Sequence, residues 1–530
     1  MHNIPITETG ILPQIVIDYL NQDKKLNTFY SYTNTIENYK KLIDEKNFSV
    51  EKRKILVDVI LSQYQNANID LTNSSLVKST IHSLSNSNTF SITTGHQLCI
   101  FGGPLYFIYK ICTAIDLAKQ LAEKYPQYNF APVFWLASED HDFDEINSIH
   151  LFGKKIKWEK VANHQAVGGL DLEAISTQID LIAELIGEKG KSKKWIEILR
   201  DSYSEKYNLS QGTTRFVHEI FKNEGLIILD ANDARLKKQL LSVIKKDLFE
   251  QQSFHAVNET NKELKKNYKL QINGREINFF YLHEKYGRRL IKKRDNGFEL
   301  ADSDVIFSKD QLGTEIELYP EKFSPNVLLR PIYQELILPN LAYVGGPAEV
   351  AYWLQLKAVF DNYKIQYPII VLRNSFLILG KSMNEKIKKY GLEIKDFFKD
   401  EKLLTDLFIS KKSETNLPIY IDKVDELFQN IFDETKNTDS KVAKEILKTK
   451  KEINSFLISK LNEVKQSAKL KNEREIVSLL KLKEKIFPLG TFQERIENII
   501  QYDYQMNENL VDIILSNSDA FNTDLKILMD

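Results

Sequence analysis

TFSITTGHQLCIFGGPLYFIYKICTAIDLAKQLAEKYPQYNFAPVFWLASEDHD, from Thr89 to Asp142, is the stretch on which the fold turns. TFSITTGHQ reads as a strand entering a loop, and GGPLYFIYKICTAIDLAKQLAEKYP as a long helix ending near Pro126. FAPVFWLASEDHD is a nearly all-apolar run closed by three acids and a histidine. Strand, helix, strand is a βαβ unit, and an uninterrupted apolar strand is what a parallel sheet buried on both faces requires. The same texture returns in GLIILDAND at 225–233, in YPIIVLRNS, and in YVGGPAEVAYWLQL at Tyr343–Leu356, which repeats the Gly-Gly-Pro ahead of an aromatic-rich helix.

Outward from that unit, residues 1–88 read as a helical lead-in and 89–375 as one parallel-sheet α/β core. Two polar, Lys-rich, locally strand-like insertions interrupt the core, at about 151–215 and 271–320. After Ser375 the chain becomes charged helix, expected over 376–500, with a further C-terminal helix over 501–530. Ile446, Ile453, Leu457, Leu461, Val464 and Ala468 form one apolar stripe, short and imperfect as a heptad pattern, which predicts an antiparallel helical hairpin or short coiled coil.

A chain of 530 residues implies roughly three to four units. Lys+Arg 72 against Asp+Glu 73 provides no global field toward nucleic acid or an anionic membrane. No export signal opens the sequence, and no run of about 18 apolar residues crosses a bilayer. Cys99 and Cys112 lack partners at zinc-ligand spacing and are expected as small buried apolar groups in a reduced, cytoplasmic protein.

Ligands of an open α/β sheet bind beyond the carboxyl ends of its strands, where both Gly-Gly-Pro segments and the acid cluster fall. Gly102-Gly103-Pro104 and Gly345-Gly346-Pro347 would let backbone approach closely and turn free helix N–H groups toward an anion, with Gly95, Gln97 and Glu349 beside them. The alternative is that they merely start helices tightly. Tyr106, Tyr109, Tyr352 and Trp353 are expected mostly as core. His96 could donate to a phosphate, trade a proton, or tie down its loop. Glu139, Asp140, His141, Asp142, Asp144 and Glu145 crowd together, favouring an ammonium, a metal or a raised pKa over a solvated turn. They lack distinctive metal-ligand spacing, so no metal is expected. Arg373 could neutralise an anion or be structural; His218, His255 and His283 are isolated.

TTGHQLCIFGGPLYFIYKI, PVFWLASEDHDFDEIN, YVGGPAEVAYWLQL, YPIIVLRNS and PLGTFQERIENII, in this order, resemble the bacillithiol biosynthesis cysteine-adding enzyme family, nearly end to end. The resemblance implies a Rossmann-like core similar in outline to nucleotidyltransferases and class I aminoacyl-tRNA synthetases. It also implies a helical coiled-coil domain that pairs two chains into a homodimer. The implied reaction joins the carboxyl of cysteine to the amine of glucosaminyl malate, with ATP or ADP as the associated nucleotide. In that chemistry the two Gly-Gly pairs hold phosphate or carboxylate, Glu139, Asp140 and Asp142 bind an amino group, and His141 or Asp142 takes its proton. Another substrate on the same core, or a helical scaffold without catalysis, stays open at this point.

Overall fold

The computed structural model describes residues 2–412 and 417–529. The chain divides into two units, Met1–Leu377 with Gln493–Ile527, and Ile378–Phe492 with Leu528–Asp530. The first is built on five parallel strands: β1 (Thr89–His96), β2 (Asn129–Leu136), β3 (Ile227–Asp230), β4 (Asn340–Gly345) and β5 (Ile369–Leu372). Their spatial order is β5-β4-β1-β2-β3. Helix α1 (Tyr106–Lys124) follows β1, α2 (Arg330–Ile337) precedes β4, and α3 (Pro347–Trp353) follows it.

The runs of apolar residues become strands because both faces of this sheet are covered. Ile92, Val344 and Val371 share a core with Ala114, Leu117 and Leu121 of α1. The threonines of β1 survive burial by pairing: Thr93 Oγ1 donates to Asn340 Oδ1 at 2.7 Å and Thr94 Oγ1 to the Val344 carbonyl at 2.8 Å. Strand order reverses between β1 and β4, so a crevice opens beyond their carboxyl ends.

The insertions differ from each other. Residues 271–320 hold the expected strands, Phe279–His283, Gly287–Arg294, Gly297–Leu300 and Ile306–Phe307, in one antiparallel sheet edged by Phe323–Pro325. Residues 151–215 are mainly helical, correcting the strand-like expectation. After a hairpin of Ser148–Leu151 and Lys154–Lys157 come helices Ser176–Ile186, Lys191–Ser202 and Leu209–Phe221. The cause is visible in Ile179, Ile182, Ala183 and Ile186, whose helical spacing buries one face.

The C-terminal segment is also not the single helix expected. Ile500–Asp503 and Leu510–Ser516 are short helices, and Leu525–Met529 is a strand that pairs antiparallel with His2–Ile4 through Leu525–Ile527. The polar turn after Ser516 ends the helix. Because Gln493–Ile527 folds with the first unit, the helical unit spans Ile378–Phe492, shorter than the expected 376–500.

Within that unit α4 (Leu417–Thr435) and α5 (Ser440–Lys471) form the predicted antiparallel hairpin. Asp439 caps α5 by accepting from the N–H groups of Lys441 and Val442. Asp425 faces Lys450 at 3.1 Å and Asn454 at 2.7 Å, which fixes the register. Ile446, Ile453, Leu457 and Leu461 of the stripe are half-buried. No helix among the described residues is long and apolar enough to cross a membrane.

Asp247 is buried behind the antiparallel sheet, where it accepts from the Asn278 N–H at 2.6 Å. Burial outweighs that bond and pushes its carboxyl up to about 6. A raised carboxyl stabilises the fold below its ordinary value and loses that contribution as pH rises through about 6. From pH 4 to 7 the wild type is therefore expected to lose roughly 2–3 kcal/mol relative to Asp247→Asn. Urea unfolding of both at the two pH values checks this, and a difference constant with pH contradicts it.

Candidate functional site

A cavity of about 280 Å³ lies beyond the ends of β1 and β4. Gly95, His96 and Gln97 line one side, Gly346 and Glu349 the other, and Lys110 of α1 forms its floor. Lys110 is buried; its Nζ donates to the Gly95 carbonyl at 2.7 Å and pairs with Glu349 at 2.5 Å. Burial presses the Lys110 pKa down against the pull of Glu349. For Glu349 burial acts upward, yet Lys110 and the Tyr343 hydroxyl hold the carboxyl below its usual range. Glu349 also accepts the Gly346 N–H at 2.8 Å.

That last bond corrects the reading of the second Gly-Gly-Pro. The N–H group expected to await a ligand anion is taken by the carboxylate of α3 itself. Gly346 lines the cavity, whereas Gly345 does not, and a Cβ there would stand 2.9 Å from the Glu349 Cβ.

The first Gly-Gly-Pro lines neither this cavity nor the one beside it. Gly102 and Gly103 have φ of +79° and +57°, and a Cβ would meet the Phe216 ring at 2.8 Å and the Cys99 Cβ at 2.6 Å. Asn498 Nδ2 donates to the Phe101 and Gly103 carbonyls, at 3.0 and 2.6 Å, while the Leu105 N–H goes to the Glu497 carbonyl. The turn is thus occupied by protein, and the glycines are required by φ and packing. What this segment gives the cavity is the flank of α1, Tyr106 and Lys110.

His96 Nδ1 lies 2.8 Å from the Gln97 carbonyl. A carbonyl only accepts, so Nδ1 carries the proton and Nε2 keeps its lone pair. Burial, then Lys110, pushes the imidazole pKa down to about 4, so the ring is neutral at pH 7 and suited to accept a hydrogen bond. Burial also drives the Cys99 thiol up to about 12, which leaves it protonated.

Three arginines complete the wall. Arg373 is buried and pairs with Glu494 at 2.5 Å, with Nε lacking a partner. Arg495 reaches the cavity beside the Tyr106 ring. Arg330, the first residue of α2, lies 5.6 Å from the Trp135 ring and 5.1 Å from the Tyr343 ring. Burial works against its charge, but the Tyr343 and Tyr352 phenols outweigh it and keep it cationic. Among the described residues Lys110 and Arg373 have carboxylate partners, while Arg330 and Arg495 have none. The cavity therefore carries a surplus of positive charge.

An adjoining cavity of about 420 Å³ shares Trp135, Ala137 and Arg330 with the first. The acid loop after β2 enters it through Glu139 and Asp140 only. Glu139 is held by buried Lys237. Asp140 accepts from Gln97 Nε2 at 2.8 Å and from the His141 N–H at 2.8 Å, with Arg288 Nη1 3.7 Å away. Burial raises its pKa, but the His141 ring, the Gln97 amide and Arg288 hold it well below the usual carboxylate range. His141 Nδ1 lies between the two, 3.5 Å from Asp140 and 3.1 Å from Arg288 Nη1. Asp142 is exposed and lines neither cavity, at odds with a catalytic place for it.

Within the expected knot of negative charge, Glu139 is thus paired with Lys237, and Asp140 is hydrogen-bonded by Gln97 beside Arg288. Among the described residues no three His, Cys, Asp or Glu side chains converge to hold a metal. Lys110, Lys237, Arg288, Arg330, Glu494 and Arg495 were not picked out from sequence. For Lys110 and Arg330 the signal was present: each is a lone cation inside an apolar run, YFIYKICTAI and NVLLRPIY.

Two family models cover the chain: bacillithiol biosynthesis BshC, N-terminal Rossmann-like domain, over residues 1–374, and bacillithiol biosynthesis BshC, C-terminal coiled-coil domain, over 376–529. A Flavobacterium johnsoniae protein named "Putative cysteine ligase BshC" is 38% identical over 526 residues, covering 96% of this chain and 95% of its own. A Christiangramia forsetii protein of the same name is 35% identical over 540 residues, covering 99% and 98%. A crystal structure titled as a putative arginyl-tRNA synthetase from Campylobacter jejuni aligns at 13% identity over 85% of this chain and 99% of that one, with a TM-score of 0.22.

Proposed function

Because the chain belongs to the bacillithiol biosynthesis BshC family, we propose that it is a ligase that joins the carboxyl group of L-cysteine to the glucosamine amine of glucosaminyl malate, forming an amide. The observation that carries this reading is the pair of adjoining cavities beyond the carboxyl ends of the parallel strands, the first of them where strand order reverses. A reaction between two small molecules needs two compartments that open on each other. In the first, Arg495 has no carboxylate partner and Arg373 keeps a free Nε, which suits the two carboxylates of a malate group. In the second, Asp140 stays ionised and offers its carboxylate to an ammonium.

Amide formation removes the elements of water from a carboxylate and an ammonium, so it proceeds only with an activating co-substrate. ATP or ADP is the proposed nucleotide, and Arg275 and Arg288, flanking the Phe280 ring, are the residues of the second cavity suited to its phosphates. His96, neutral with its Nε2 free to accept, orients the attacking amine. We also propose a cytoplasmic homodimer formed through the helical unit, where Ile419, Leu427, Phe456 and Leu470 are exposed.

Incubation of the purified protein with L-cysteine, glucosaminyl malate and ATP is expected to yield a product with the summed mass of the two acceptor substrates less one water. Turnover of nucleotide with other amines or acids, but none with this pair, assigns the same cleft to a different substrate.

A further inference from the structure

Resting on the ligase reading, we propose that Arg330 grips the carboxyl group of the amino-acid substrate where the two cavities meet. Two reactants held in neighbouring compartments can join only where those compartments open on each other. Three residues line both cavities, Trp135, Ala137 and Arg330, and Arg330 is the charged one. Of the two groups that must meet at this point, a carboxyl and an amine, a guanidinium is complementary to the carboxyl alone.

The geometry prepares it for that task. The guanidinium is held by the Trp135 and Tyr343 rings, and Nη1 donates to Gln334 Oε1 at 3.1 Å, one helical turn on. Gln334 is itself buried and donates to Glu335 Oε1, so the brace is fixed. Nη2 is buried without an acceptor in hydrogen-bonding geometry, and the polar group beside the guanidinium, the Tyr352 hydroxyl, is uncharged. The carboxylate nearest at hand, Glu349, is already saturated by Lys110, the Tyr343 hydroxyl and the Gly346 N–H. A desolvated cation with an N–H left over is costly unless a ligand supplies the anion. The malate end has its own cations in Arg373 and Arg495, which line the first cavity alone, whereas Arg330 lines both.

The test is calorimetric titration of the full chain with L-cysteine and with cysteamine, which has the same thiol and amine but no carboxyl. Wild type is expected to favour cysteine by about 30-fold or more, the range for a desolvated, hydrogen-bonded charge pair. Arg330→Met is expected to bring that ratio to within about threefold, because the charge partner is gone. Arg330→Lys keeps the charge without the fork and should fall between, which guards against misfolding of the Met variant. Equal binding of the two probes by wild type, or an unchanged ratio in both variants, overturns the proposal. Product formation does not enter this readout. A protein that makes no amide yet discriminates through Arg330 would sink the ligase reading and leave the carboxyl grip standing.

Discussion

Glu494→Ala is expected to destabilise the first unit by about 3–5 kcal/mol, the range for breaking one side of a buried ion pair. The side chains of Arg373 and Glu494 are 1% and 4% exposed, and two contacts join them, Nη1 to Oε2 at 2.9 Å and Nη2 to Oε1 at 2.5 Å. Removing the carboxylate leaves a desolvated guanidinium with the Asn374 carbonyl and the Ser375 hydroxyl, both at 3.0 Å, as its acceptors. Neither carries charge. The double variant Arg373→Met/Glu494→Leu removes both charges together and should be clearly more stable than Glu494→Ala alone, since apolar replacement of a whole buried pair is often neutral. Urea midpoints of the three proteins decide the matter; a double variant as unstable as the single one would mean that packing, not charge, is what Glu494 supplies.

The second large effect is on activity, and it separates two neighbours that look alike in sequence. Asp140→Asn is expected to lower kcat/KM by about 100-fold or more, on the scale of losing a charged group that acts in the reaction. Its two oxygens serve the Gln97 amide and the His141 N–H, and an amide in their place sets one donor against another. It also strips Arg288, stacked 3.9 Å above the Phe280 ring, of its nearest carboxylate. Asp142→Asn, exposed and outside both cavities, should stay within about threefold of wild type, as surface changes do. Equal losses in both, or none in Asp140→Asn, would show that the acid loop works in a different arrangement from the one described.

The sheet was legible because its physics is local. Phe130–Leu136 and Ile369–Leu372 are apolar without interruption, and only a sheet covered on both faces accepts that. Of the helices between 151 and 215, Lys191–Ser202 was hidden by its lysines, whereas in Ser176–Ile186 the residues Ile179, Ile182 and Ile186 carried the period. At the site, His96, Gln97, Asp140, Gly346, Glu349 and Arg373 could be named from their place after strands, and each lines a cavity. Their charge balance could not be read. Glu139 is neutralised from 98 residues away by Lys237, and His141 meets Arg288 across 147 residues, distances over which sequence patterning is silent. The two Gly-Gly-Pro segments show the same limit: identical letters, one closed by Asn498 and Phe216, the other by its own Glu349.

The tie between Arg373 and Glu494 spans 121 residues, and Asn498 closes the turn at Gly103 across 395. During synthesis, β1 to β5 leave the ribosome long before the segment that braces them. The arginine-lined wall of the first cavity is therefore finished only when the last stretch of chain has emerged. Cutting the gene at the end of the Rossmann-like region would yield a sheet without Arg495, with Arg373 unpaired and the first glycine turn unlatched. The helical unit is thus an insertion into a domain whose two ends need each other, and no single truncation yields that domain whole.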